Sequence, residues 1–324
     1  MYQLMSLPLA AESLGEYESW RDLRQELHGL GCQGVEAIWG GEPIPEDFPR
    51  DLAIGYHLTF YPDWLDFYRE DRRALEQKFG SLETVEAFFG GWGADRLLSV
   101  YREDLARARS LGARYVVFHV SDVSIEEGYT YRWLHSNREV MGAAAEIINQ
   151  LLENGGAGPE FLVENQWWPG FTMTDPEETA WLLEAIACPQ KGIMLDTGHL
   201  MNANPDLETQ GEGAAYIRSL LQRHGSLCRY IRGVHLHQSL SGAYVRAHGG
   251  RLPEESPADY WERFRTSYQH VLAIDQHMPW TAPEVGRLVA DIAPQYLVHE
   301  LTGRSRTGRR QAVGTQRSAL GGVL

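Results

Sequence analysis

The sequence predicts a closed (β/α)8 barrel, and three observations carry that expectation. Eight short apolar runs alternate with stretches of helical periodicity, composition does not shift before residue 303, and run after run ends in a His, Asp or Glu. Strands covered by helices on both faces read as short continuous apolar segments. A barrel brings the C-terminal ends of its strands to one mouth, where active sites of this architecture sit. A chain of 324 residues is an ordinary length for one such barrel. An open, doubly wound dinucleotide fold is disfavoured, because no GxGxxG follows any run.

In chain order, Tyr2–Leu7 is a first strand stopped by Pro8. Glu12–Leu30 is an amphipathic helix with Trp20, Leu23, Leu27 and Leu30 at helical spacing. Val35–Trp39 is a short strand containing Glu36, which a salt bridge across the barrel would explain; GGEPIPEDFP after it is loop by its Gly and Pro content. Leu52–Phe60 is a third strand and carries His57. Residues 62–112 are too long for a bare connection and hold two helical patterns, Trp64–Phe79 and Leu98–Leu111. The fourth strand, Tyr115–Val120, ends in His119, Ser121 and Asp122. A helix from about Asn137 to Glu153 leads through GGAG to the fifth strand, Glu160–Val163, which finishes in Glu164 and Asn165 before Trp167 and Trp168.

Asp175 and Pro176, followed by Glu177 and Glu178, start a helix that runs to about Ala187. The sixth strand lies in the stretch GIMLDTGH, residues 192–199. Its apolar run stops abruptly at Asp196, with His199 three residues on, so a carboxylate and an imidazole both sit at the mouth. The alternative for Asp196 is a helix cap. Ala214–His224 is helical, and Tyr230–His237 is the seventh strand, where period-two alternation puts His235 and His237 on one face. A loop with Tyr244, Arg246 and His248 precedes helices near Ala258–Ile274 and Pro283–Ala293. The eighth strand, Gln295–Leu301, carries His299 and Glu300.

The polar strand ends collect as His57, His119, Glu164, Asp196, His199, His235, His237 and Glu300, with His237 and His299 assigned to structure. Three carboxylates in one cavity repel each other unless a cation neutralises them, so a divalent metal ion is the economical explanation. Three carboxylate oxygens with one imidazole suit Mn, Mg or Co, and Zn when more histidines join.

The net charge is -15, and the five Arg of residues 304–324, with no acid among them, leave the preceding body near -20. Such a body disfavours nonspecific binding to nucleic acid. Residues 303–324 read as a basic, mobile tail. Cys32, Cys188 and Cys228 are in no paired spacing, no window of eighteen residues is wholly apolar, and the N-terminus lacks a basic region followed by an apolar one. The expectation is a cytoplasmic protein that neither enters a membrane nor depends on disulfides; oligomeric state is not legible.

The segments FHVSD, VENQ, MLDTGH, VHLHQ and VHEL resemble the xylose isomerase-like barrel superfamily, which includes sugar isomerases and epimerases, inosose dehydratases and endonuclease IV. The resemblance covers residues 1–302. For the ketose epimerase branch it implies one metal ion held by Glu164, Asp196, His235 and Glu300. Glu164 and Glu300 would then double as the acid/base pair, with His199 beside the substrate. The function expected is a metal-dependent isomerase or epimerase of a small sugar-like carbonyl compound, working through an enediolate. His57, His119, Trp167, Trp168, Arg246 and His248 would also contact that substrate. The alternatives are an endonuclease IV-like zinc-dependent phosphodiester hydrolase and a barrel that only binds a ligand. The endonuclease IV branch has a three-zinc site, and His57, His119, Glu164, Asp196, His199, His235 and Glu300 fall where it has ligands. Its Asp-x-His pair after the seventh strand is matched to Arg246, Ala247 and His248. A cation there argues for one ion rather than three.

Overall fold

The computed structural model describes residues 1–153, 158–303 and 305–321. Eight strands, β1 (Tyr2–Leu9), β2 (Gly34–Trp39), β3 (Ala53–His57), β4 (Tyr115–His119), β5 (Glu160–Glu164), β6 (Lys191–Asp196), β7 (Ile231–Leu236) and β8 (Tyr296–His299), close in sequence order. All pairs are parallel, and β8 meets β1 with Tyr2 opposite Tyr296. Helices connect consecutive strands except β2 and β3, which are joined by a loop with one 3-10 turn, Arg50–Leu52, so the expected (β/α)8 barrel is the fold.

Alternation along each strand divides the barrel interior into two storeys. Leu4, Ile54, Tyr115, Val117, Leu162, Met194, Tyr296 and Val298 form a separate buried apolar cluster inside the ring. Two residues further along the same strands come His119, Glu164, Asp196 and Glu300. Side chains two apart share a face, so the apolar plug supports a polar layer above it. The main core lies outside the ring, between strands and helices.

Several boundaries differ from the sequence reading for local reasons. β1 runs through Pro8 because its pairing with β8 ends at Met5, and Pro8 lies where only β2 continues alongside. The helix expected over Glu12–Leu30 is two, Ala11–Leu14 and Trp20–Gly29, the second capped afresh by the Ser19 side chain, which accepts from Asp22 N. The long insertion after β3 holds four helices, Leu65–Tyr68, Arg72–Phe79, Leu82–Phe89 and Ala94–Leu111. Gly80 and Gly90, at φ 86° and 68°, end two of them in the left-handed region. Of the GGAG stretch, residues 155–157 lie outside the described residues.

The C-terminal segment departs most from expectation. Residues 306–320, read as part of a mobile tail, form a helix (Arg306–Leu320) with Val313, Gln316 and Leu320 buried. It packs against the helix Glu284–Ile292. Arg306 pairs with Asp22 at 2.6 Å and also with Glu26, and Arg309 pairs with Glu16, tying it to the first helices of the chain. The run of Arg that looked like a solvated tail meets the acidic face of residues 16–26. Among the described residues no helix is long and apolar enough to cross a membrane.

Candidate metal centre

The polar storey gathers side chains that can donate to a metal into three groups: His57, His119 and Glu164; Glu164, Asp196, His235 and Glu300; and His199, His237, Asp275 and His277. Within each group one donor atom per residue lies within 4.8 Å of the others.

Glu164, at the end of β5 and 1% exposed, stands at the centre. Its Oε2 lies 3.3 Å from His57 Nε2 and 3.2 Å from His119 Nε2. Its Oε1 faces the other way, 3.3 Å from His235 Nδ1 and 3.3 Å from His199 Nδ1. Asp196 links the second and third groups, with Oδ2 2.8 Å from His237 Nε2 and 3.9 Å from His235 Nδ1. The Oδ1 atom of Asp196 accepts from His199 N at 2.6 Å, so this carboxylate also caps the short helix Thr197–Asn202. One oxygen serves the cap and the other faces the histidines.

The TGH sequence after Asp196 has a steric logic. Thr197 Oγ1 donates to the His237 carbonyl at 2.6 Å, joining the ends of β6 and β7. A Cβ on Gly198 would lie 2.0 Å from His237 Cε1, so only glycine lets that ring pack here. His237 then stacks on His277, with centroids 4.1 Å apart and planes 3° from parallel. Asp275 completes the third group, its Oδ2 2.7 Å from His277 Nε2 and 3.3 Å from His199 Nε2.

The donor chemistry fits divalent ions, and buried atoms without partners point the same way. His119 Nδ1, His235 Nδ1, His237 Nδ1 and Glu300 Oε2 are buried with no hydrogen-bond partner among the described residues. His235 Nδ1 and Glu300 Oε2 are only 3.0 Å apart, yet not aligned to bond each other, as expected of two lone pairs aimed at a common third point. Six histidines with four carboxylates make a mixed nitrogen and oxygen set, suited to Zn and also to Mn or Co.

Without an ion, protons take the place of positive charge. Burial disfavours a charged His57, yet Glu164 and Glu36 outweigh it and raise its pKa to about 9. Burial likewise opposes a charged His277, and Asp275 overcomes it, raising its pKa to about 10. For Glu164 burial favours the neutral acid, but His119 and His235 hold the carboxyl well below the usual range. Uptake of an ion there would expel imidazole protons, so apparent affinity should rise with pH and level off only above the pKa of His57 and His277. The expected slope is about tenfold per displaced proton per pH unit. Calorimetric titrations with zinc in two buffers of different ionisation enthalpy will count those protons, and a count of zero would remove this picture.

Of the residues named from sequence, the structure brings together His57, His119, Glu164, Asp196, His199, His235 and Glu300. Trp167 flanks them, its ring 5.1 Å from His199, and Trp168 and Phe60 continue that wall, Phe60 lying 4.4 Å from the His119 ring. His299, assigned to structure, bonds Gln316 at 2.9 Å away from these groups. His237, assigned to structure with it, belongs to the third group instead.

Arg246 and His248 are not brought to the donors. They lie on a short helix, Gly242–His248, where the exposed Arg246 donates to the Pro205 carbonyl at 2.6 Å and His248 stacks on Tyr244. An Asp-x-His sequence does join the donors, but at Asp275-Gln276-His277, in the third group. It was missed because it follows the helix Tyr260–Ile274 rather than a strand. An antiparallel bridge from Gln238 to Met278 returns that segment to the mouth, where His277 takes φ 47°. The spacing itself was the available signal.

A family model described as xylose isomerase-like TIM barrel matches residues 25–281. No curated protein matches the sequence. Among solved structures, endonuclease IV from Thermus thermophilus superposes with a TM-score of 0.54 at 15% identity, covering 99% of each chain. A D-tagatose 3-epimerase-like protein gives 0.54 at 15% identity, covering 99% of this chain and 97% of that one. An L-ribulose 3-epimerase gives 0.53 at 13% identity, with 100% and 96% covered. At such identities the likeness establishes the shared fold.

Proposed function

This chain belongs to the xylose isomerase-like TIM barrel family, and on that premise we propose that it is a multinuclear metal-dependent phosphodiester hydrolase of the endonuclease IV kind. The observation that carries the reading is the split of the Glu164 carboxylate, one oxygen toward His57 and His119 and the other toward His235 and His199. A carboxylate so placed would serve as a ligand in both groups. A general base for carbon acids needs a free oxygen aimed at substrate, and both oxygens of Glu164 are engaged. The pair Asp275 and His277 supports a third ion and answers the one departure that favoured a single one.

Divalent ions bound there would neutralise charge on a phosphoryl group and lower the pKa of water to give a nucleophile near neutral pH. The chain's part is to hold them at fixed spacing. Glu164 is shared by two groups and Asp196 reaches His237 of the third at 2.8 Å, so the three positions are tied together. The wall of Phe60, Trp168 and Trp167 limits water on one flank and offers flat apolar faces to the organic part of a substrate.

The one-metal epimerase reading keeps a specific support, since Glu164, Asp196, His235 and Glu300 gather without the other two groups. Assays of zinc- and manganese-loaded protein on an aryl phosphodiester, an abasic-site duplex and a set of ketoses separate the two. Phosphodiester cleavage that chelator abolishes is the expected result. Ketose epimerisation without phosphodiester cleavage would transfer the assignment to the epimerases.

A further inference from the structure

Glu36 is a buried carboxylate without a job in the metal groups. It lies on β2, is 0% exposed, and among the described residues no Lys or Arg pairs with it. Withdrawing an isolated carboxylate from water costs several kcal/mol unless partners compensate. Among the described residues its side-chain partners are His235, whose Nε2 bonds Oε2 at 3.2 Å and lies 3.0 Å from Oε1, and Tyr115, whose hydroxyl donates to the same Oε2 at 2.8 Å.

The two nitrogens of His235 have different surroundings. Nε2 faces Glu36. Nδ1 lies 3.0 Å from Glu300 Oε2 and 3.3 Å from Glu164 Oε1 and has no aligned hydrogen-bond partner. Carboxylates stand beside both nitrogens, so an ion held at Nδ1 by Glu164 and Glu300 would displace the proton on that side; neutral imidazole carries its single proton on one side only, and the one left is on Nε2, toward Glu36. Such an ion would meet the ring in one tautomer.

Glu36 is itself held from below. Tyr115 belongs to the apolar plug and packs on Tyr296 at 4.3 Å between centroids. Gly55 makes room for it, since a Cβ there would lie 2.2 Å from Tyr115 Cζ. A line of contacts therefore runs from the plug through Tyr115 and Glu36 to His235 Nδ1.

We propose that Glu36 is the positioning residue of the central metal position: by accepting the Nε2 proton of His235 it fixes the tautomer, and by its charge it strengthens Nδ1 as a ligand. This rests on His235 being a ligand, as in the hydrolase reading above. A carboxylate behind a histidine ligand commonly changes metal affinity by about 10–100-fold. A mere cross-barrel salt bridge would change folding stability and leave ion binding alone.

Glu36→Gln keeps the shape and, with its carbonyl oxygen in the place of Oε2, an acceptor for both the Nε2 proton and the Tyr115 hydroxyl, and removes only the charge. Glu36→Met removes the acceptor. Zinc occupancy measured by competition with a chromogenic chelator should show one position weakened by about tenfold in E36Q and about a hundredfold in E36M, the other positions keeping wild-type affinity. Nitrogen NMR of the zinc-loaded wild type with labelled histidine should find His235 protonated at Nε2. Wild-type affinities at every position in both variants, or a proton on Nδ1, would overturn the role of Glu36 while the metal centre stands. A wild type that binds no zinc would overturn the metal centre and this role together.

Discussion

Glu164→Ala is expected to lower phosphodiester turnover by on the order of 10⁴-fold while the protein stays folded. The carboxylate touches four imidazoles, His57 and His119 of the first group, His235 of the second and His199 of the third, and it is itself a donor in the first two, so its removal opens two ion positions at once. An ion acting on a phosphoryl group supplies several kcal/mol of transition-state stabilisation, and each 1.4 kcal/mol or so is about tenfold in rate. The imidazoles left behind lose the anion that favours their protonation, and the same substitution should reduce zinc content by more than one ion per chain. Steady-state rates and elemental analysis on the same preparation check both halves. A folded, fully loaded Glu164→Ala protein with near wild-type turnover would contradict the bridging role.

Ending the chain at residue 303 should leave little soluble protein. The helix Arg306–Leu320 buries Val313 and Leu320 to 1% exposure, each worth roughly 1.5–3 kcal/mol. Gln316, fully buried, accepts from Trp280 N at 3.0 Å and donates to the Leu236 carbonyl at 2.7 Å. Removing it leaves buried backbone groups unpaired, at about 1–3 kcal/mol each. The sum approaches the roughly 5–15 kcal/mol that a whole domain has. Leu236 and His299, on the last two strands, are direct partners of Gln316, so the damage reaches the barrel. Yield and thermal unfolding of the shortened chain measure it; wild-type unfolding would restore the reading of a dispensable tail.

The barrel was legible because its signal is repeated: eight apolar runs in order, six of them ending in His, Asp or Glu, prune the topologies to one. The site was legible where it follows that rule. His57, His119, Glu164, Asp196, His235 and Glu300 all stand at strand ends, and strand ends meet. Asp275 and His277 escaped because a helix precedes them and a single antiparallel bridge returns them to the mouth, an element with no periodic signature. Arg246 drew notice by its order after the seventh strand, and order along a long loop does not fix position in space. The C-terminal helix was hidden by composition. Five Arg without acids read as a solvated tail until the acids of residues 16–26, nearly three hundred positions earlier, are seen to be its partners. Glu36 was read as a cross-barrel salt bridge, and only the two-sided environment of His235 gives that bridge a direction.

The central claim is the number of ions, and counting them tests it most directly. Protein purified without chelator, analysed for transition metals and crystallised for anomalous scattering at the zinc edge, should carry close to three ions per chain: one at His57, His119 and Glu164, one at Glu164, Asp196, His235 and Glu300, and one at His199, His237, Asp275 and His277. A single ion at Glu164, Asp196, His235 and Glu300, with the other two groups empty at saturating zinc, would contradict it.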